Sequence, residues 1–161
     1  AARSDIYQAL TGNYAADSAQ AELIARLSGG RVGWAIRSLE DESALEHRSI
    51  ALDLLEDLLG KPRVGRFALA EDLSKEKLAL VPLLELWQSY WRDLLLLITG
   101  SNVDLMHADR ESHLRQLAML VSEAETLTAL HATQTLLSTL KTNANVRLAL
   151  EVMLLDYPGL I

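Results

Sequence analysis

The longest apolar run of the sequence, LALVPLLELWQSYWRDLLLLITG, places the strongest constraint on the fold. Leucine dominates the run and only Pro82 interrupts it before Gly100, so it predicts one helix from about Lys75 to Thr99. At about 1.5 Å per residue such a helix spans roughly 36 Å, the full height of a small domain. Pro82 predicts either a kink or a later start of the helix. We expect this helix to form the spine of a helical bundle.

The remainder of the chain has the same helical preference. Half of the 161 residues (50%) are hydrophobic but only 5% are aromatic, and three prolines and eight glycines are the only strong helix breakers. Leucine and alanine favour helices, whereas the β-branched and aromatic residues that favour strands are scarce. The composition therefore predicts an all-α fold, with one domain or a small domain attached to a larger one.

Helix start and stop signals divide the rest of the chain. Ser4 and Ser18 are candidate N-caps of two short helices, and a third short helix is predicted from about Val32 to Asp41. The acidic stretch EDESALEH interrupts the apolar pattern and predicts a boundary. A bundle of about five to six longer helices should follow. Their ends are predicted at Gly60, Pro62, a Ser122–Glu125 capping box, Asn143, Asn145 and the Pro158–Gly159 pair.

Charge and composition argue against several classes of partner. The net charge of −7 disfavours direct contact with nucleic acid, because neutralising phosphates needs a basic surface. The absence of cysteine excludes disulfides and thiolate chemistry and suits the cytoplasm, and the first residues have no signal-peptide pattern. The longest apolar run contains four polar side chains that disfavour a membrane span, namely Glu85, Gln88, Arg92 and Asp93.

A glycine-rich stretch, ARLSGGRVGWAIRSLED, has the outline of a phosphate-binding turn in front of a helix. Its residues Ser28, Gly29, Gly30, Arg31 and Gly33 match neither G-x-x-x-x-G-K-[ST] nor G-x-G-x-x-G after a strand. The local pattern favours a helix C-cap followed by a tight turn into the next helix. A nucleotide-responsive regulator, in which Arg31 contacts a phosphate, stays open as an alternative.

The histidines do not have the spacing of a metal site. His107 and His113 lie near several carboxylates but fall on different helix faces, and His47 and His131 are far away in the sequence. All four are therefore expected to be polar surface residues. The serines have no G-x-S-x-G elbow. We expect no catalytic residue, no metal, no cofactor and no small-molecule substrate.

Trp87 and Trp91 lie four residues apart, on one face of the longest predicted helix. Such a pair either packs in the core or anchors a subunit interface, where tryptophan is enriched. Arg92 and Asp93 follow directly between apolar residues, and either would need a partner if it were buried. The last predicted helix offers Arg147 and Glu151. We expect Asp93 to pair with Arg147.

Three stretches occur together, LIARLSGGRVGWAIRSLED, WQSYWRDLLLLITG and LKTNANVRLALEVMLLDYP. In this order they resemble the C-terminal half of the delta prime subunit of the bacterial DNA polymerase III clamp loader. The resemblance covers nearly the whole chain. It implies a non-catalytic part of the DNA polymerase III holoenzyme, with a remnant of a helical AAA+ lid at residues 1–44 and a collar domain at 45–161.

In such proteins an AAA+ core precedes the lid, so the resemblance implies that this chain is a piece of a longer protein. The collars of the subunits form a ring that holds the AAA+ modules while they load the sliding clamp onto DNA. The implied partners are therefore the gamma or tau subunit and the delta subunit. A free-standing helical adaptor with no link to replication stays open as a further alternative.

The resemblance also assigns roles to residues. Active AAA+ relatives have G-x-x-R-D-A at the lid turn, and its arginine, called sensor 2, reaches the γ-phosphate of ATP. Gly30 takes the place of the first glycine, Gly33 that of the arginine and Ala35 that of the alanine, while Arg31 lies two positions early. The loss of the sensor 2 arginine fits a delta prime subunit better than a gamma or tau subunit, which is the alternative identification. The candidate collar structural or interface residues are Trp87, Trp91, Arg92, Asp93, Asn143, Asn145, Arg147 and Glu151.

Overall fold

A computed structural model describes residues 1–142 and 145–160, which fold into α-helices joined by short loops. The predicted all-α class is confirmed. Nine α-helices and one 3₁₀ helix occur in these ranges, because the three short N-terminal helices add to the six of the bundle. Their bounds are α1 Arg3–Asn13, α2 Ser18–Leu27, α3 Val32–Glu40, α4 Ser43–Leu58, α5 Arg63–Ser74, α6 Lys77–Ile98, the 3₁₀ helix Ala108–Arg110, α7 Glu111–Leu120, α8 Glu123–Thr139 and α9 Val146–Asp156.

Side-chain caps that the sequence predicts begin α8 and α9. The predicted capping box is present at α8, where the Ser122 hydroxyl accepts from the Glu125 N–H at 3.1 Å and the Glu125 carboxylate accepts from the Ser122 N–H. The side chain of Asn145 caps α9 by accepting from the Leu148 N–H at 3.2 Å. These two sequence signals identified the helix starts because the caps depend on residues only three apart.

The first two predicted caps are wrong by one or two residues. Helix α1 begins at Arg3 after Ala2, so Ser4 lies inside the helix. Helix α2 is capped by Asp17, whose carboxylate accepts from the Gln20 N–H at 3.3 Å. Asp, like Ser, is a strong N-cap residue, so neighbouring candidates are hard to rank from sequence.

Helix α6 is the spine helix that the sequence predicts. It begins at Lys77, two residues later than expected, and it contains Pro82 in its second turn. The helix packs against α4, α5, α7 and α8. As the sixth residue of the helix, Pro82 lacks the N–H that would bond to the Leu78 carbonyl, and this loss falls in an exposed first turn, where Leu78 is 94% exposed.

The helices pack around two separate hydrophobic cores. Side chains of α1, α2 and α3 form the small core around Ile6, Leu10 and Ile24. The larger core fills the bundle of α4 to α9 around the spine helix. The assignment of residues 1–44 to a lid remnant and 45–161 to a collar stays a prediction.

A buried arginine holds the C-terminal end of the bundle together. Arg66 of α5 is 5% exposed, and its guanidinium donates to five backbone carbonyls and, within the described ranges, to no carboxylate. Burial lowers the pKa of Arg66. The arginine thereby fastens α5 to the end of α9, where helix carbonyls lack partners within the helix. The acceptors are Leu154 at 2.6 Å, Pro158 at 2.7 Å, Tyr157 at 2.8 Å, Lys61 at 3.1 Å and Leu59 at 3.3 Å.

Candidate functional site

The glycine-rich turn ends α2 and starts α3. The Ser28 N–H donates to the Ile24 carbonyl at 2.9 Å, and the Arg31 N–H donates back to the Ser28 carbonyl at 3.1 Å. Between them Gly29 and Gly30 have φ angles of +57° and +87°, in the left-handed region that glycine favours. The turn therefore has the C-cap geometry that the local pattern favoured.

Gly29 packs closely against the neighbouring loop, and its positive φ disfavours a side chain more than this contact does, because the flexible end of Met106 can move. A Cβ at this position would lie 2.8 Å from the terminal methyl carbon of Met106. Met106 belongs to the segment 99–107 between α6 and the 3₁₀ helix, which we call the bridging loop. The turn thus packs directly against the bridging loop.

Arg31 contacts its own turn and α3. Its Nε donates to the Ser28 carbonyl at 2.9 Å, and its guanidinium carbon lies 5.4 Å from the centre of the Trp34 ring. Burial lowers the pKa of Arg31, and nearby Glu85 acts in the opposite direction. Gly33 lies in the first turn of α3 and offers no charge. Arg31 lines a cleft of about 320 Å³ together with Glu85 and Arg92, the latter being exposed.

The two tryptophans belong to the core. Trp87 and Trp91 are both 0% exposed, and the Trp87 indole N–H donates to the Ala51 carbonyl at 2.9 Å. The Trp91 and Tyr157 rings pack edge to face with their centres 5.0 Å apart. The interface-anchor interpretation of this pair is therefore wrong for the chain as described, and the core interpretation is right.

The expected pair between Asp93 and Arg147 is wrong. The Asp93 carboxylate accepts from the backbone N–H groups of Met106 at 3.1 Å and His107 at 2.7 Å, in the bridging loop. Burial raises the pKa of Asp93, and these two bonds act against that rise. Arg147 instead lies 3.3 Å from Glu151 and 3.9 Å from Glu71, on the surface of the bundle. Asn143, another predicted site residue, lies outside the described residues.

His107 is fully buried, so its prediction as a surface residue is wrong. The Nη2 of Arg48 donates to the His107 Nδ1 at 2.7 Å, and Ser89 Oγ lies 2.8 Å from the His107 Nε2. Arg48 also donates two bonds of 2.8 Å to the Asp109 carboxylate. The other histidines, His47, His113 and His131, are exposed, as expected.

These contacts define the protonation state of His107. Arginine has only donors, so the Nδ1 must accept and the proton lies on Nε2, facing the Ser89 hydroxyl. Burial lowers the pKa of His107 to about 3, and the charge of Arg48 adds to this effect. With both nitrogens bonded, the ring serves as a neutral structural link. It is not arranged as a base or a metal ligand.

The bridging loop connects the three N-terminal helices with the bundle. Arg26 of α2 donates through Nε to the Leu105 carbonyl at 2.7 Å, and Arg3 of α1 forms an exposed pair with Asp104 at 2.9 Å. The next residues of the loop are held by Asp93 of α6 and by Arg48 of α4. Side chains of four helices, α1, α2, α4 and α6, thus contact one short loop. These contacts hold the three N-terminal helices against the bundle.

An open apolar groove of about 650 Å³ lies between α8 and α9, and none of its lining residues belongs to this network. Its floor contains Leu136 and Met153, and its rim contains Leu148 and Val152, which are 56% and 54% exposed. Large apolar surfaces that stay exposed to solvent often mark interaction sites in proteins. The other residues that line the groove are Thr128, His131, Ala132, Thr135, Thr139, Asn145, Ala149 and Asp156.

Neither a cluster of metal ligands nor a membrane-spanning helix occurs among the described residues. Within 1–142 and 145–160, no three histidine, aspartate or glutamate side chains converge as metal ligands would. In the same ranges every helix is too short or too polar to cross a bilayer. Searches of protein-family models, curated protein sequences and solved structures give no match to this chain.

Proposed function

We propose that this chain is a structural and oligomerisation part of a clamp-loader delta prime subunit, which helps to load the sliding clamp onto DNA during replication. The observation that carries the proposal is the pair of hydrophobic cores. A small three-helix core joins a six-helix bundle in the order that the resemblance implies for a lid remnant and a collar. The proposal places the chain in the cytoplasm.

The turn between α2 and α3 supports a non-hydrolysing role. Gly33 stands where the resemblance expects the phosphate-binding arginine, and it has no side chain to offer. Arg31 is the nearest substitute, but its Nε donates to Ser28 and its guanidinium lies over Trp34. A residue engaged in this way is poorly placed to bind the γ-phosphate of a nucleotide.

The proposed partners are the gamma or tau subunit and the delta subunit, joined to this chain through a ring of collars. With a net charge of −7, the chain is assigned no direct contact with DNA. Its part in replication is to hold neighbouring subunits in position.

Sedimentation velocity with purified gamma or tau and delta subunits tests this role. We expect the chain to sediment with them as one larger species, because aliphatic surfaces exposed on the isolated bundle become buried. Separate sedimentation of the chain at micromolar concentrations of every partner would contradict the proposal.

Titration with ATP tests the competing nucleotide-responsive interpretation. We expect no heat of binding from the wild-type chain or from Arg31→Ala. A wild-type signal that Arg31→Ala abolishes and Arg37→Ala retains would favour the nucleotide-responsive module instead. Arg37 is a suitable control because it is an arginine of α3, the helix that follows directly after Arg31.

A further inference from the structure

The cleft of about 320 Å³ beside Arg31 lies where the glycine-rich turn meets α6, α8 and the bridging loop. Its volume is at the lower end of the range of about 300–1,000 Å³ that is usual for small-molecule sites, so it suits a compact ligand. Four separate parts of the chain line the cleft, so no single sequence motif marks it.

Three charged side chains line this cleft, Arg31, Glu85 and Arg92, and all three are exposed to solvent. Among the described residues, none of the three has an oppositely charged side-chain atom within 4.0 Å. The Nε of Arg31 donates to the Ser28 carbonyl, but its two Nη atoms donate to no described residue. Glu85 and Arg92 lie seven residues apart, on one face of α6. The cleft thus presents two cationic groups and one anionic group that form no ion pair within the described chain.

The surroundings of Arg31 favour a negatively charged group beside it. Burial lowers the pKa of Arg31, Glu85 raises it, and both Arg48 and Arg37 lower it further. Positive neighbours of this guanidinium therefore outnumber negative ones, although the whole chain has a net charge of −7. A carboxylate bound in the cleft would offset this repulsion and accept charge-assisted hydrogen bonds from the arginine.

Glu85 restricts the kind of anion that the cleft can accept. A chain of phosphates would meet the Glu85 carboxylate as well as the two arginines, so a polyanion such as ATP fits this set of charges poorly. A ligand with one carboxylate and one ammonium group matches all three charges. The carboxamides of Gln88 and Gln134 line the same cleft, and each can donate to one polar group and accept from another.

We propose that this cleft binds a small zwitterion of the amino-acid class. The carboxylate of the ligand lies between Arg31 and Arg92, and its ammonium group faces Glu85. Met106 and Leu130 provide an apolar wall against which an aliphatic side chain of the ligand packs. The ligand is bound and not transformed, and the inference does not depend on the proposed function.

Titration of the nitrogen-15-labelled chain with leucine, followed by two-dimensional NMR, tests the site. We expect the amide signals of Gly29 and Gln88 to shift with a Kd on the order of 1 mM, because ion pairs of exposed groups contribute little in water. N-acetyl-leucine has no ammonium group and leucinamide has no carboxylate. Each should bind at least about threefold more weakly than leucine, since each loses one ion pair.

Charge-neutralising variants assign the two ends of the ligand. Glu85→Gln should weaken the binding of leucine at least about threefold but should not weaken that of N-acetyl-leucine, because only the free ammonium group loses its partner. Arg92→Gln should weaken the binding of both ligands. Glu123→Gln and Arg63→Gln are the matched controls, since both residues are exposed and lie outside the cleft, and both variants should bind leucine like the wild type.

Three results would overturn the proposal. The first is the absence of shifts up to about 20 mM leucine, well above the expected Kd. The second is binding of leucine that Glu85→Gln leaves unchanged or strengthens, because the cleft would then accept simple anions and not zwitterions. The third is a set of shifts confined to residues outside the cleft. The same spectra show whether each variant is folded, and Arg31→Gln replaces Arg92→Gln if that variant unfolds.

Discussion

Replacing Arg66 by methionine removes a guanidinium group that donates hydrogen bonds to five backbone carbonyls. The side chain bonds the carbonyls of Leu154, Tyr157 and Pro158 at the end of α9, and those of Leu59 and Lys61 after α4. Methionine has a similar length and packs against apolar neighbours, but it donates no hydrogen bond. The Leu59 carbonyl would keep its bond from the Leu160 N–H at 2.9 Å, and the other four acceptors would lose the guanidinium while staying largely shielded from water.

The expected loss of stability is about 3 kcal/mol. A hydrogen bond from a charged donor contributes about 1.5–3 kcal/mol, and an unpaired buried acceptor costs about 1–3 kcal/mol. These contributions do not add up fully, because relaxation of the chain end at Gly159 and Leu160 lets water reach some of the acceptors. The burial that lowers the pKa of Arg66 also offsets part of the gain in the wild type.

Urea denaturation followed by circular dichroism measures this loss. With a slope of about 2 kcal/mol/M, a decrease of about 3 kcal/mol shifts the unfolding midpoint by about 1.5 M. Arg66→Lys should fall between the wild type and Arg66→Met, because an ammonium group reaches fewer carbonyls than the planar guanidinium. Arg63→Met is the control, since Arg63 is exposed on the same helix and should change stability by less than about 0.5 kcal/mol. A loss below about 1 kcal/mol for Arg66→Met would refute this account of the arginine.

Three further predictions concern His107 and Asp93 at the bridging loop and Arg147 on the surface of α9. Because the pKa of His107 is about 3 when folded and about 6.5 when unfolded, the unfolded chain binds more protons between these values, so stability should fall as pH decreases from 6.5 toward 3. Chemical denaturation at pH 6.5 and 4.5 should show a smaller loss for His107→Gln than for the wild type, and equal losses would contradict the neutral buried ring. Asp93→Asn should lower the free energy of unfolding by about 1–3 kcal/mol, since an amide presents only one acceptor oxygen to two N–H groups. Arg147→Ala should leave the free energy of unfolding unchanged within about 0.5 kcal/mol, because Arg147 is half-exposed and its ion pairs are screened by water, and a loss above about 1.5 kcal/mol in the same denaturation assay would contradict this account.

The sequence was informative wherever structure depends on near neighbours. The capping box at Ser122, the turn at Gly29 and Gly30 and the spine helix ending before Gly100 are each specified within a few residues. The all-α class followed from composition, because runs rich in leucine and alanine with few β-branched or aromatic residues favour helices over strands. These features needed no knowledge of tertiary contacts.

The buried charged residues were missed because their partners are far away in the sequence. Arg48 bonds a carboxylate 61 residues later, and Arg66 bonds carbonyls up to 92 residues later. A usable signal was nevertheless present. Arg48 lies four residues before Leu52 on the buried face of α4, and Arg66 lies three before Leu69 on the buried face of α5. An arginine at an apolar position of a helical pattern indicates burial, although it cannot say which acceptor it meets.

The bridging loop links the helices of the small core to those of the large core through hydrogen bonds to its main chain. Arg26 of α2 donates to the Leu105 carbonyl, and Asp93 of α6 accepts from the N–H groups of Met106 and His107, so the two helices bond opposite sides of the Leu105–Met106 peptide unit. Peptide units are planar and stiff, and a pull at one is passed on with little slack. A tilt of helices α1 to α3 should therefore also rotate α6. The displacement would be transmitted through the main chain of the bridging loop rather than through side-chain packing.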